Sequence, residues 1–344
     1  MERRMKAQAL WIVEPGRAEL REEELPALEP DEALLEAHVS AVSPGTERLM
    51  FHGGGGSQRL DESLPALRRQ VGYPLKYGYA TVGRIVELGV AGDRQLLERW
   101  ALALHPHQSH IACSVGDLIL LPPGIDPEAA AFLPNVETAL SLVHDGAPRA
   151  GERVLLLGLG VVGQLAASLL RLFPLSDLVA VEPLANRRHL AKSRRLTAVA
   201  SFEQILDRLD DKPPAGFDLA FELSGNPLAL NAAIDGVGYD GRVVVGSWYG
   251  DQMTSVALGT HFHRSHLQLI SSQVSHIPPA LRGRWTKGRR FDEALRLLPL
   301  LQPAELVTHR LPLGQAKQAY QLLDQPAEAI GILIHYQPFS GNGR

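Results

Sequence analysis

Residues 153–167 read Arg153-Val154-Leu155-Leu156-Leu157-Gly158-Leu159-Gly160-Val161-Val162-Gly163-Gln164-Leu165-Ala166-Ala167. The apolar run reads as a buried strand, the glycines as a turn, and the residues after them as the start of a helix. The spacing is G-x-G-x-x-G at Gly158, Gly160 and Gly163. In such a turn the first glycine permits the tight bend. The second lets backbone approach a pyrophosphate, and the third lets helix and strand pack closely. The helix start offers unpaired N–H groups and a positive dipole end to phosphates. Gly158, Gly160, Val161, Val162 and Gly163 are therefore candidate cofactor-binding residues.

The pattern alone is weak in a chain with 32 glycines, and its flanks strengthen it. An apolar helix from Leu165 to Phe173 follows. A second apolar strand, Leu178-Val179-Ala180-Val181, then ends on Glu182. An acid there can accept from the two hydroxyls of an adenosine ribose and repels a 2′-phosphate, which favours NAD. Arg187 and Arg188, five and six residues on, are groups that a phosphate can recruit, which keeps NADP open; as solvated helix charge they would be unremarkable.

Strands and helices alternate outward from this unit as far as residue 272, the signature of a doubly wound parallel sheet in an α/β fold. Ligands of such sheets lie beyond the carboxyl ends of the strands. Glu182, Ser224-Gly225-Asn226 and Gly246-Ser247-Trp248-Tyr249 fall there, which adds Ser224, Gly225, Gly246 and Ser247 to the cofactor candidates. Before residue 126 the chain has a different texture. Short strands are expected at 7–13, 17–25, 32–42, 100–104 and 111–121, with a glycine run at 53–57, so a separate β-rich domain is expected. Helices are expected at 126–133, 137–146, 227–237, 291–301 and 314–323, and a last strand at 330–334 returns to the first domain.

With 344 residues two domains are expected, because single cores rarely grow past about 250–300 residues. The chain is 45% hydrophobic and 21% charged, with a net charge of −4, and nothing in that balance suggests a nucleic-acid or membrane-surface partner. A single cysteine, Cys113, excludes an internal disulfide and any multi-cysteine zinc site. The charged start lacks the apolar core of a signal peptide and no run is long enough to span a bilayer, so a cytoplasmic protein is expected.

Five stretches together resemble the medium-chain dehydrogenase/reductase superfamily: Ser43-Pro44-Gly45-Thr46-Glu47, Gly78-Tyr79-Ala80-Thr81-Val82-Gly83, Gly158–Gly163, Phe221-Glu222-Leu223-Ser224-Gly225 and Leu306-Val307-Thr308-His309-Arg310. The resemblance covers nearly the whole chain and lies nearest a branch of zinc-type alcohol, polyol and threonine dehydrogenase-like proteins. It implies a GroES-like β-rich catalytic domain (1–130 and 280–344) and a Rossmann domain (131–279). It further implies an NAD(P)-dependent oxidoreductase acting on a small molecule, and a homodimer pairing through the strand at Gly241–Gly246.

The departures from the family pattern concern metal. Where zinc-using members carry Cys-x-Ser/Thr-Asp, this chain has Pro44-Gly45-Thr46-Glu47; where they carry Gly-His-Glu, it has Gly78-Tyr79-Ala80. Proline and alanine bind no zinc, and tyrosine is an unusual ligand. His105, His107, His110 and Cys113 alternate along an expected strand and do not converge. No zinc is expected. Without a Lewis acid, hydrogen-bond donors must stabilise negative charge on a carbonyl oxygen. Thr46 and Tyr79 are the candidate donors, with His107 at the substrate cleft as acid or relay. Glu47 is expected to be structural, by pairing with an arginine or capping the helix, and Glu137 is a candidate for the cleft. The arginine-rich segment 271–285 is a candidate for substrate or subunit contact. Two other readings remain open at this level: an enoyl or quinone reductase, and a dinucleotide-binding protein without catalysis.

Overall fold

The computed structural model describes residues 5–54, 72–206 and 216–336. Gly55, Gly56 and Ser57 of the glycine run lie outside them. The chain divides into two compact units, 1–134 with 303–344, and 135–302.

The first unit begins with β1 (Lys6–Glu14) and β2 (Arg17–Glu24), antiparallel about Pro15-Gly16, where Gly16 takes φ 80°. Next come β3 (Glu32–Val42), α1 (Pro44–Phe51), β4 (Leu75–Lys76), β5 (Thr81–Leu88), β6 (Trp100–Ala103), β7 (His110–Ser114), β8 (Leu118–Leu120) and α2 (Pro127–Ala130). The stretch 111–121 is not one strand. Ser114 Oγ accepts from Gly116 N–H, closing a 3-10 turn over Val115–Asp117 that separates β7 from β8.

The second unit runs through α3 (Leu133–Gly146), β9 (Arg153–Leu157), α4 (Val161–Leu170), β10 (Asp177–Val181), α5 (Ala185–Ser193), β11 (Thr197–Val199), α6 (Glu203–Leu206), β12 (Phe217–Glu222), α7 (Ala229–Gly236), β13 (Val237–Val245), β14 (Gln268–Ser271) and α8 (Lys287–Leu301). Among the described residues its strands form one parallel sheet in the order β11-β10-β9-β12-β13-β14. The order reverses between β9 and β12, where the crevice of such a sheet opens. Val154, Leu155, Leu156 and Leu157 of β9 are buried, as a strand covered on both faces requires. The expected dimer edge at Gly241–Gly246 is corrected: Arg242 to Val245 of that stretch lie in β13 and are paired on both sides, and β14 is the outermost strand among the described residues.

The tail supplies β15 (Val307–Pro312), α9 (Ala316–Leu322) and β16 (Gly331–His335) to the first unit. β16 pairs antiparallel with β3 and gives the main sheet the order β15-β16-β3-β5-β6-β8, with β7 also on β3. The return begins later than the expected 280. Helix α8 belongs to the second unit, where Arg290, Ala294, Leu297, Leu298 and Leu301 are buried.

Candidate functional site

In the second unit the three glycines do three different things. Gly158 takes φ 99°, and a Cβ there would stand 2.6 Å from Ser224 Cα. A Cβ on Gly163 would stand 2.1 Å from the Gly158 carbonyl oxygen, so this glycine sets the approach of α4 to the turn. Over Gly160 the nearest atom to such a Cβ is Arg187 Nη1, at 3.8 Å. Gly160 caps α4 without a side-chain hydrogen bond, leaving the N–H groups of Val161, Val162 and Gly163 without a side-chain cap. A cradle free of side-chain bulk above these donors fits a dinucleotide pyrophosphate.

Glu182 is placed differently from the expectation that it stands open to a ribose. It is 2% exposed. Its Oε2 accepts from Leu159 N–H at 2.8 Å, its Oε1 from Leu184 N–H at 3.0 Å, and Arg187 Nη1 stands 3.6 Å from Oε2. Arg188 is no solvated helix charge: its Nη1 donates to the carbonyls of Glu182 and Pro183 at 2.7 and 2.6 Å. Arg187 Nε is buried with no hydrogen-bond partner.

Ser224, Gly225 and Ser247 come together at the carboxyl end of β12. Gly225 N–H donates to Ser247 Oγ at 2.9 Å, and Ser224 donates to Glu222 through both N–H and Oγ–H. Glu222 is fully buried and also accepts from Tyr249 Oη, whose pKa is raised by burial and by that carboxylate. Sequence reasoning missed Glu222 as an organiser. The signal was available, since it ends β12 as Glu182 follows β10. Gly246 is a packing glycine, because a Cβ there would stand 2.5 Å from Leu142 and 2.6 Å from Leu223.

The segment after β14 is pinned rather than open. Arg290, fully buried, donates to Glu137 Oε1 at 2.9 Å, to Ser141 Oγ at 3.2 Å, and to the carbonyls of Val274 and His276. Glu137 is thus one half of a buried ion pair, not a free cleft acid; burial raises its pKa against the pull of Arg290. Trp285 lies against His144 at 4.3 Å and beneath the Arg289 guanidinium. Burial, with Arg290 and Arg289 adding to it and Glu293 opposing, pushes the His144 imidazole down to about 4. Between its ordinary value near 6.5 and about 4 the unfolded chain binds a proton that the folded chain refuses. Stability is therefore retained above that window and lost as pH falls through it, by at most about 1.4 kcal/mol per pH unit. The unfolding midpoint should drop from pH 7 to pH 5, and His144→Phe should shrink that drop; an equal drop in the variant would remove His144 as its source.

In the first unit, Glu47 is fully buried in the first turns of α1. Its Oε1 accepts from Ser43 N–H at 2.7 Å and its Oε2 from His107 Nε2–H at 3.0 Å. With a proton on Nε2, the Nδ1 of His107 can accept from Ser40 Oγ–H at 2.7 Å, and Ser40 from Tyr336 Oη–H at 2.9 Å. Tyr79 Oη donates to Ser43 Oγ and also hydrogen-bonds Thr46. Burial raises the Tyr79 pKa, keeping the phenol protonated as a donor. Gly78, at φ 121°, leaves room for the imidazole: a Cβ would stand 2.8 Å from His107 Nε2.

Thr46 and Tyr79 are thus brought together, half-buried. His107 is not at the surface of a cleft as expected. It lies behind them, fully buried, with both ring nitrogens engaged. His105 turns to the Pro106 carbonyl and His110 to Ser109. Among the described residues no three His, Cys, Asp or Glu side chains gather as metal ligands, and no helix is long and apolar enough to cross a membrane.

No family model matches the chain. It is 26% identical over 218 residues to the D-guloside 3-dehydrogenase of Escherichia coli (strain K12), a stretch covering 60% of this chain and 61% of that protein. The match thus spans about three-fifths of the relative's length. Two solved structures share the fold along 96% of this chain. One is the 2R,3R-butanediol dehydrogenase from Bacillus subtilis, with TM-score 0.77, 17% identity and 100% of that chain covered. The other is the rspB alcohol dehydrogenase from E. coli CFT073 complexed with NADH, with TM-score 0.78, 14% identity and 99% covered. A β-rich unit completed by its returning tail, a doubly wound parallel unit with an intact glycine turn, and these likenesses point the same way: the chain has the fold of these dehydrogenases and resembles the medium-chain dehydrogenase/reductase superfamily.

Proposed function

We propose that this chain is a nicotinamide-dependent oxidoreductase that works without zinc on a hydroxyl or carbonyl of a small polar molecule. The observation that carries the reading is the hydroxyl cluster of Tyr79, Thr46 and Ser43, anchored by the buried Glu47–His107 pair. Gly158, Gly160, Gly163 and the α4 N–H groups hold the dinucleotide, with Ser224, Gly225 and Ser247 as further contacts. The bound nicotinamide supplies or takes the hydride. Thr46 donates a hydrogen bond to the substrate oxygen where negative charge develops, and Tyr79 donates there by turning its one O–H away from Ser43 Oγ when substrate binds. His107 and Glu47 hold α1, and with it Thr46, in place. Pro44 and Ala80 offer no metal donor atom, so the hydroxyls take the role that a Lewis acid has elsewhere. Two copies pair through β14, whose Leu269 is exposed and whose outer edge is unpaired among the described residues.

The test uses NADH and NADPH deuterated at C4 with a panel of carbonyls and enones. Deuterium on an alcohol carbon supports the reading. Deuterium on a β-carbon makes the protein an ene reductase, and tight binding with no turnover on any compound makes it a non-catalytic binder. On a substrate so found, Tyr79→Phe should lower kcat about 100-fold, the loss typical of a removed oxyanion donor; unchanged turnover would take Tyr79 out of the mechanism.

A further inference from the structure

We propose that residues 282–289 are a docking surface for the phosphate backbone of a nucleic-acid strand, whatever its base sequence. The net charge of −4 conceals a strong local excess of the other sign. No Asp or Glu stands between Asp251 and Asp292, a stretch that carries Arg264, Arg282, Arg284, Lys287, Arg289 and Arg290. Arg290 is turned inward, onto Glu137 and the carbonyls of Val274 and His276. Arg282, Arg284, Lys287 and Arg289 are exposed. They form two cation-glycine-cation units, Arg282-Gly283-Arg284 and Lys287-Gly288-Arg289. A Cβ on Gly283 would meet nothing within 4 Å, and one on Gly288 only Thr286 Oγ1 at 3.8 Å. The chain between the cations is bare enough for a phosphate backbone to lie against it.

Two of these cations are held in place. Arg282 Nε donates to the Ile277 carbonyl at 3.2 Å. Arg289 lies on the Trp285 ring at 4.3 Å and donates to the Arg284 carbonyl. A held guanidinium loses less entropy on meeting an oxyanion. Of the two acids that follow, Glu293 is engaged by Arg296 at 2.6 Å, which leaves Asp292. The class of partner follows from what else the segment presents. A protein interface needs an aromatic or aliphatic anchor, and membrane attachment gains from apolar side chains that insert. Among the described residues no exposed large hydrophobic side chain falls within 272–291, and Trp285 is half-buried between Arg289 and His144. A phosphate backbone requires only cations. Charges act over about 8 Å at physiological salt, so the acids elsewhere in the chain do not cancel this patch.

Fluorescence anisotropy of the whole protein with labelled oligo(dT) and oligo(U) tests this. Both should bind, within about threefold of each other, because the contacts go to phosphates. Log affinity should fall against log salt with a slope of about −2 to −3, from about three or four contacts at about −0.7 each. Arg284→Gln combined with Lys287→Gln should weaken binding about tenfold and reduce the slope by about 1.4. Neither side chain is hydrogen-bonded among the described residues, so the unfolding midpoint should stay where it is. Arg94→Gln, which removes an exposed cation of the first unit, should leave the affinity unchanged. Saturating NADH should not displace the strand; displacement would place it at the glycine turn and overturn the inference. Absence of binding, or binding that the double variant does not weaken, would overturn it too. So would phosphatidylserine vesicles or polyglutamate binding where the oligonucleotides do not, which would reassign the surface to a membrane or an acidic protein.

Discussion

Glu47→Leu is expected to destabilise the first unit by about 2–6 kcal/mol, the cost of leaving two buried donors without an acceptor at about 1–3 kcal/mol each. The leucine would leave His107 Nε2–H and Ser43 N–H without acceptors, both in buried surroundings. Glu47→Gln should cost much less, about 1–2 kcal/mol. Its carbonyl can still accept from Ser43. Its amide can donate to His107 if the imidazole moves its proton to Nδ1, and Ser40 can then accept that proton and donate onward to Tyr336. The Ser40–Tyr336 hydroxyl pair is what permits that reversal, since each hydroxyl both donates and accepts. Urea unfolding followed by the fluorescence of Trp11 and Trp100, both in this unit, reads the difference. A leucine variant within 1 kcal/mol of the native protein would mean that the pair is not what holds α1.

How far the sequence carried the structure depends on the range of each interaction. The strand, turn and helix at 153–167 are specified locally, by an apolar run, three glycines and a second apolar run, so they were legible. The same is true of Asp126, whose side chain accepts from Glu128 N–H to start α2. Glu47 was legible only in part. Capping of α1 is a four-residue relation and could be read, but its partner is His107, sixty residues on, and the sequence pointed to an arginine instead. That pairing exists because β3 carries Ser40 toward the connection before β7, a sheet-level fact with no local signature. Glu182 follows β10 as expected, and its side chain is buried against the glycine loop. An acid after β10 can face a ribose or turn back into the glycine loop, and the choice depends on the Leu159 and Leu184 amides, not on residue type. The β14 edge was misassigned for a related reason: periodicity tells strand from helix but gives no strand order.

The glycine turn offers the sharpest separation of packing from binding. Gly163→Val should lower the stability of the second unit and weaken NADH and NADPH binding by about 100-fold or more, because its Cβ would meet the Gly158 carbonyl at 2.1 Å and backbone would have to move. The displaced helix would carry its N-terminal donors away from the phosphates. Gly160→Ala should behave otherwise. Its φ of −67° suits any residue, and only Arg187 Nη1 lies within 4 Å of the added Cβ. The variant should therefore fold with a native unfolding midpoint and still bind about tenfold more weakly, since the methyl would stand where phosphate approaches backbone. Titration beside thermal unfolding distinguishes the two. If Gly160→Ala binds both cofactors as the native protein does, no phosphate comes close to this turn, and the cradle must be sought elsewhere along the carboxyl ends of β9 and β12.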